Sequence, residues 1–433
     1  MISATTSPNP QSKVRCQTLD VSLRTQQPKA PQNRSKLIAV SRMVVTAVIA
    51  CSPLTLSAQE KVGSQLTEPA LSPRVLPVLP GKVDLGKSMN AGEAGLVPDS
   101  AEDQSSKLAS LMAAVAADPD QDTVYVPEGR YYIAKAIGLR PGVNLIGDGM
   151  DRTVFYRDDA ENYLVRPGAH GDFKKALIAN LSFRNTQRTL LMSNVQHLRF
   201  NNVEFEGGIV RFEKASHVSL EGCFFNRNRG KGGYASSSCS NMRLVHNRFL
   251  SIENGSINLS GHKKSYVAYN HITADKLIDS GYAGIRLPNT ASNNLIEHNY
   301  IENHGRGLFV LTYSSHNILR HNTVKSTKYQ GVLVQSPHNR IEHNMIIDAG
   351  LAAIRVSDAH YDGEHPSSIA NGNRVLHNLV ADTRDADSDA QVGLVANSSK
   401  TTVVGNIVER RFGRSFMKFQ NGDGNTKEDN VYR

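Results

Sequence analysis

The chain has 433 residues, of which 39% are hydrophobic and 21% charged, and a formal net charge of +9. This composition excludes a broadly disordered chain, and the length fits two or three ordinary domains or one long repeat array. A positive balance invites nucleic acid or another polyanion as partner, so the placement of the charge decides between them.

Seven basic side chains and one acid fall within residues 1–58, leaving 42 basic against 39 acidic over 59–433, a net of only +3. Nucleic acid is therefore not an expected partner. Residues 1–42 are rich in Ser, Thr, Gln, Pro and Asn. The apolar stretch 43–58 follows Lys36 and Arg42 and ends in small residues, which reads as an export signal with cleavage near Ala58. It is too short and interrupted to be a transmembrane helix. Its position implies either an unusually long leader or a true start at or near Met43. Val48-Ile49-Ala50-Cys51 also resembles a bacterial lipobox, which makes Cys51 a candidate lipid anchor. The expected location is periplasmic or extracellular. Cys223 and Cys239, the two cysteines beyond the leader, are expected to be free, packed thiols.

Residues 59–100 read as a Pro/Gly/Ser-rich linker, and 101–137 as an N-terminal cap. Within the cap, Leu108, Leu111, Met112 and Val115 recur at helical spacing. Strand-like Thr123-VYVP, Glu128-GRYYI and Gly142-VNLIGDG follow. A short helix before "VYVPEGRYYI…L…GVNLIGDG" resembles the start of the pectate-lyase-like superfamily, over about residues 100–410. That resemblance implies an all-β, right-handed parallel β-helix with a short N-terminal capping helix. It also implies a substrate held on one strand face, with polygalacturonases, lyases, uronan epimerases and phage tailspikes as its range.

The expected solenoid is 138–412, with 413–433 as a tail. Its unit is an apolar residue, two others, then Asn-x-apolar, at Asn201, Asn247, Asn270, Asn299, Asn322, Asn344, Asn378 and Asn406, with Gly222 in the same place. Spacings are 21, 25, 23, 29, 23, 22, 34 and 28. A period near 22–25 without intervening helices predicts coils stacked at about 4.8 Å. Asn294, Asn317, Asn339 and Asn373, each five residues earlier, form a second set. Both sets read as corner ladders that satisfy turn backbone groups.

A strand precedes each ladder Asn: Ser256-INLS, Gly284-IRLP, Leu308-FVLT, Gly331-VLVQ and Ala353-IRVS. Alternation sets Ile257/Leu259, Ile285/Leu287, Phe309/Leu311, Val332/Val334 and Ile354/Val356 inward. The outward face then carries Asn258, Arg286, Arg306, Leu308, Leu333, Gln335 and Arg355, with Tyr282, Arg306 and Tyr329 in one column. Gly284, Gly331 and Ala353 are read as keeping that face low for a chain-like ligand. Arg286 and Arg355 are expected roughly 14 Å apart, three coils along. His262 and Lys264 are placed at the groove edge. The long coil before Asn378 inserts Asp358, His360, Tyr361, Asp362, Glu364 and His365, a loop with acid/base or metal-binding potential.

Breaking a uronic-acid polymer by β-elimination requires a neutralised carboxylate, a base for the C5 proton and an acid for the leaving oxygen. C5-epimerisation shares the first two and returns the proton to the opposite face. The candidate catalytic residues are Tyr282, Arg286, Arg306, Tyr329, His262 and His360, and the candidate substrate-binding residues are Asn258, Lys264, Gln335, Arg355 and Asp362. Ca²⁺ is the candidate cofactor, with no ligand set assigned. A hydrolase would need two carboxylates about 5–5.5 or 6.5–9.5 Å apart. The groove strands present none, and the polygalacturonase motifs are not intact. Asp358-Ala-His360-Tyr-Asp362 only loosely echoes the Asp-Pro-His-Asp of alginate epimerases. His246, His298, His321, His343 and His377 each precede a ladder Asn and read as a repeat-derived column rather than a metal site. The expected function is lyase or epimerase action on an acidic polysaccharide. The alternatives are an exported β-helix that binds polysaccharide or serves in surface assembly, and a glycoside hydrolase.

Overall fold

The computed structural model describes residues 87–432 apart from 160, 169–170, 175, 230–231, 360–367, 385–392, 411–415 and 420–422. The expected leader with its expected cleavage near Ala58, Cys51 and most of the expected linker lie outside the described residues. The rest is a parallel β-helix in which every strand of one coil pairs with its counterpart in the next. Three strand stacks form its walls. The groove face runs through Tyr234–Ser237, Ile257–Ser260, Ala283–Leu287, Arg306–Val310, Val332–Val334 and Ile354–Ser357. A second face contains Arg243–Val245, Tyr266–Ala268, Leu295–Glu297, Ile318–Arg320 and Arg340–Glu342. A third contains Arg248–Leu250, His271–Thr273, Tyr300–Glu302, Thr323–Thr327 and Met345–Ala349.

The helix Ser105–Ala117 forms as its spacing predicts and buries Leu108, Leu111, Met112 and Val115. It packs beside the strands Ile137–Leu139 and Thr123–Val126. Pairing extends past both ends of the expected solenoid. Ser88–Asn90, inside the expected linker, pairs with Thr123–Val126. Thr426–Glu428 and Val431–Tyr432, inside the expected tail, continue the second and third faces.

Inside, identical positions of successive coils stack. Tyr131, Phe155, Phe183, Phe205, Phe225 and Phe249 form one aromatic column, with ring centroids 4.3–6.1 Å apart. The same column continues as Ile272, Ile301, Val324, Ile346, Val380 and Val408. All are fully buried, and each contributes about 1.5–3 kcal/mol of burial. Cys223 and Cys239 are free and buried here too, and burial pushes their thiols up to about 12 and about 11.

Between the second and third faces the chain turns in two residues. The first is left-handed, as at His246, His298, His321 and His343 with φ of 52–55°. Such a backbone costs about 1 kcal/mol or more in a non-glycine residue. The second residue is the ladder Asn. Asn322 Nδ2 donates to Ile296 O and to Asn344 Oδ1, both at 2.9 Å. Its own Oδ1 accepts from the N–H and Nδ2 of Asn299. Several such bonds at about 0.5–1.5 kcal/mol each outweigh the strained turn. The ladder runs from Asn247 to Asn430, and the second set, from Asn294 to Asn373, is bonded in the same way.

Candidate functional site

The groove face carries its polar residues on one outward column. Pairing aligns Asn258, Arg286, Phe309, Leu333 and Arg355. Arg286 and Arg355 thus stand three coils apart, as expected. The strand Arg306–Val310 has the opposite phase from the expected one. Leu308 and Val310 pair with Ile285 and Leu287 in the core, and Phe309 faces out. The alternation was misjudged because every residue from Leu308 to Leu311 is apolar, so hydrophobicity alone could not set the register.

The glycine column is also corrected. A side chain at Gly284 would strike Ile301 Cγ2 at 2.5 Å, and one at Gly331 would strike Ile346 Cγ2 at 2.3 Å. Gly284, Gly331 and Ala353 therefore face the interior, where the groove strands come close to the aliphatic column. They do not lower the outer surface.

Arg306 and Tyr329 share a register, beside Ala283, whereas Tyr282 sits one position earlier, in line with Gly305. The side chains nevertheless converge. The Arg286 guanidinium lies 4.8 Å from the Tyr282 ring centre and 5.9 Å from that of Phe309. The Arg306 guanidinium lies 5.0 Å from Phe309 and 5.1 Å from Tyr329. The result is an alternating file: Tyr282, Arg286, Phe309, Arg306, Tyr329. Each stacked cation and ring contributes about 0.5–1 kcal/mol at an exposed site. Arg306 Nε donates to Gln330 Oε1 at 2.9 Å, and Nη1 donates to Gly281 O. The Tyr329 hydroxyl donates to Asp279 Oδ1 at 2.8 Å, and Lys328 Nζ lies 3.5 Å from the same carboxylate. That hydrogen bond raises the Tyr329 pKa above the usual phenol range and holds Asp279 below the usual carboxylate range. Phe309 and Gln330 were missed as partners of this cluster. A residue-type signal existed for Phe309 alone, as an aromatic amid arginines.

The remaining expected residues distribute as follows. Asn258 is half-buried beside Arg286, and its Oδ1 has no hydrogen-bond partner among the described residues. Arg355 is half-buried, and its Nε likewise has none among them. Gln335 is half-buried just past Val334 on the groove strand. Lys264 is exposed on the corner turn after Ile257–Ser260, in a left-handed conformation, and belongs to the corner rather than the face. His262 corrects the expectation most sharply. It is fully buried, hydrogen-bonded to Tyr234 and Ser265, and burial pushes its pKa down to about 3. A neutral core imidazole has no access to a substrate. His360 and Asp362 lie outside the described residues, while Asp358 accepts the Ala370 N–H at the base of their loop.

At the histidine corner, His246, Tyr269, His298, His321, His343 and His377 stack with centroids 4.9–5.2 Å apart. Among the described residues, no three His, Cys, Asp or Glu side chains are placed to hold a metal ion. Among them, too, no helix is long and apolar enough to cross a membrane.

The sequence profile of the rhamnogalacturonase A/epimerase, pectate lyase-like family matches residues 88–333. The chain belongs to this family. A profile of right-handed β-helix regions matches 268–408, which gives the solenoid its hand. Among solved structures, the A-module of the mannuronan C-5 epimerase AlgE6 from Azotobacter vinelandii superposes with a TM-score of 0.63 at 16% identity, over 79% of this chain and 99% of that one. The Dettilon tailspike protein gives 0.55 at 13%, over 74% and 67%. A tailspike mutant of Escherichia coli bacteriophage HK620, in complex with a pentasaccharide, gives 0.50 at 14%, over 81% and 67%. At such identities the likeness is one of fold. No curated protein matches in sequence. The Tyr282–Tyr329 cluster falls within the stretch matched by the pectate lyase-like family.

Proposed function

We propose that the groove face binds an acidic, uronic-acid-containing polysaccharide and removes its C5 proton, leading to β-elimination or C5-epimerisation. The observation that carries this reading is the outward file of two guanidinium groups held between three aromatic rings, two of them phenols. The planar arginine fork matches a carboxylate, and pairing with it stabilises the charge that develops when C5 loses its proton. Tyr282 is the assigned base. Tyr329, kept protonated by its bond to Asp279, is the assigned acid. In elimination the C5–H pair forms the C4–C5 double bond, the C4–O bond breaks, and Tyr329 protonates the leaving oxygen. In epimerisation the proton returns to C5 from the other face. Asn258 and Arg355 bind flanking sugars, with Gln335 and Lys264 towards the corner.

The epimerase among the structural neighbours acts on mannuronan, and one tailspike neighbour holds a pentasaccharide. Both support a glycan ligand by analogy of fold. Hydrolysis is disfavoured because the five groove strands carry no carboxylate pair. Binding without turnover is the second reading, favoured by the burial of His262 and the engagement of Tyr329 with Asp279. Export accompanies either reading, and mass spectrometry of the mature N-terminus would distinguish cleavage near Ala58 from lipidation at Cys51.

The deciding experiment incubates the protein with a panel of uronans. Ultraviolet absorbance reports unsaturated product, and NMR reports C5 stereochemistry. Either signal supports the enzyme. Silence across the panel with binding retained would leave the binder.

A further inference from the structure

We propose that the groove is one polyanion track extending well beyond the cluster towards the N-terminal end, so that the protein grips an internal stretch of a long acidic glycan. This rests on the reading of the groove face as a polysaccharide site.

The register carries the argument. Going N-terminally from Arg286, the outward column passes through Asn258 and Ala235 to Arg211 and then Leu191. Val165 pairs with Leu190, which sets Arg166 beside Leu191. The flanking Val165, Leu190, Met192, Val210 and Phe212 are fully buried, so the residues between them face out. Arg166, Arg211, Arg286 and Arg355 therefore stand on one line along the solenoid, spanning eight strand spacings, roughly 38 Å at the usual interval.

The far end is organised as the centre is. The guanidinium groups of Arg166 and Arg188 both lie against the Tyr163 ring, at 5.6 and 5.9 Å. This repeats the pairing of two arginines with Phe309. Local acids do not cancel the site. Asp159 is held by Arg157, Asn162 and two backbone amides, and Asp158 accepts the Thr186 hydroxyl. Glu161 is exposed at the rim, and its carbonyl accepts from Arg188. Arg211 pairs with Glu213 at 2.6 Å, a surface contact weak enough to exchange for a ligand carboxylate.

A pyranose advances an extended glycan by about one strand spacing, so each coil faces one sugar. The cluster at Tyr282–Tyr329 then sits inside the track, about five coils from Arg166 and three or fewer from Arg355. A chain end is not needed to fill it, and only a chain of about nine sugars reaches from one end to the other.

The test measures calorimetric affinity for an oligouronate tetramer and nonamer, in a Tyr282→Phe background that prevents turnover. The tetramer spans Arg286 to Arg355, and the nonamer reaches Arg166. The expected result is a nonamer bound on the order of tenfold tighter. Arg166→Gln with Arg211→Gln should abolish most of that gain and leave tetramer affinity unchanged, which also shows that the variant is folded. Equal affinity for both lengths, or a double variant indistinguishable from its parent, overturns the extended track and leaves the central site standing. Failure of both oligomers to bind overturns the groove reading and the track with it.

Discussion

At the scale of single residues, Arg286 and Arg306 bear most of the proposed chemistry. Arg286→Gln should lower kcat/KM on a uronan about a hundredfold, because it removes a donor aimed at developing charge. Arg286→Lys should recover only part, since a point charge lacks the fork and stacks poorly on Tyr282. Steady-state kinetics would show this as a fall in kcat more than a rise in KM. Buried His262 and His304 make a separate prediction. Burial pushes their pKa values down to about 3 and about 4, below the 6.5 of an unfolded chain. Between those limits only the unfolded state takes up the proton, so their stabilisation is intact above about pH 6.5 and is lost as pH falls. For His262 alone the loss between pH 7 and pH 4 is about 3 kcal/mol. Denaturant titrations across that range should show falling stability, and His262→Gln should flatten the slope. A histidine two residues past a strand looks the same in sequence whether it turns to solvent or into the core. The Tyr234 hydroxyl that receives it comes from the preceding coil through strand pairing, which residue spacing does not reveal, while Ser265 lies three residues on in the same coil.

At the scale of elements, the corner ladder and the groove strand respond differently to substitution. Asn322→Ala strips the Ile296 carbonyl and the Asn299 amide of buried partners. The cost is about 3 kcal/mol or more by urea unfolding, since each orphaned group costs about 1–3 kcal/mol. Gly307→Val should also destabilise, by about 1–3 kcal/mol, through overpacking. Its Cβ would lie 2.3 Å from Val324 Cγ1 and 2.5 Å from the rigid Gly331 carbonyl. If the glycine faced the groove, the same change would spare stability and damage ligand affinity, so measuring both separates the two placements. The Asn-x-apolar unit was legible because a ladder demands the same side chain in every coil. The phase of Arg306–Val310 was not, because four consecutive apolar residues satisfy either face. The aromatic column was hidden for the opposite reason. Its members are spread over coils whose length is set by loops, so their common position emerges only from the pairing.

At the scale of the molecule, net charge says little about the partner, whereas arginines in register along one wall are the cations that the proposed site uses. Binding to a polyuronate should weaken steeply with added salt, as surface charges are screened. A calorimetric series from low to physiological ionic strength would reveal this, and an affinity indifferent to salt would argue against arginine-led recognition. The Asn ladder has one more consequence. From Asn247 onward each coil presents the same edge above and below: an Asn Oδ1 to accept, an Asn Nδ2 to give, and one apolar side chain at the same interior place. A duplicated stretch of DNA encoding one coil would therefore insert a segment whose two seams already match. The solenoid can gain or lose length along the proposed glycan track by copying, without inventing an interface, while the interval between the proposed recognition positions stays constant. Length is the heritable variable here, and pitch is not.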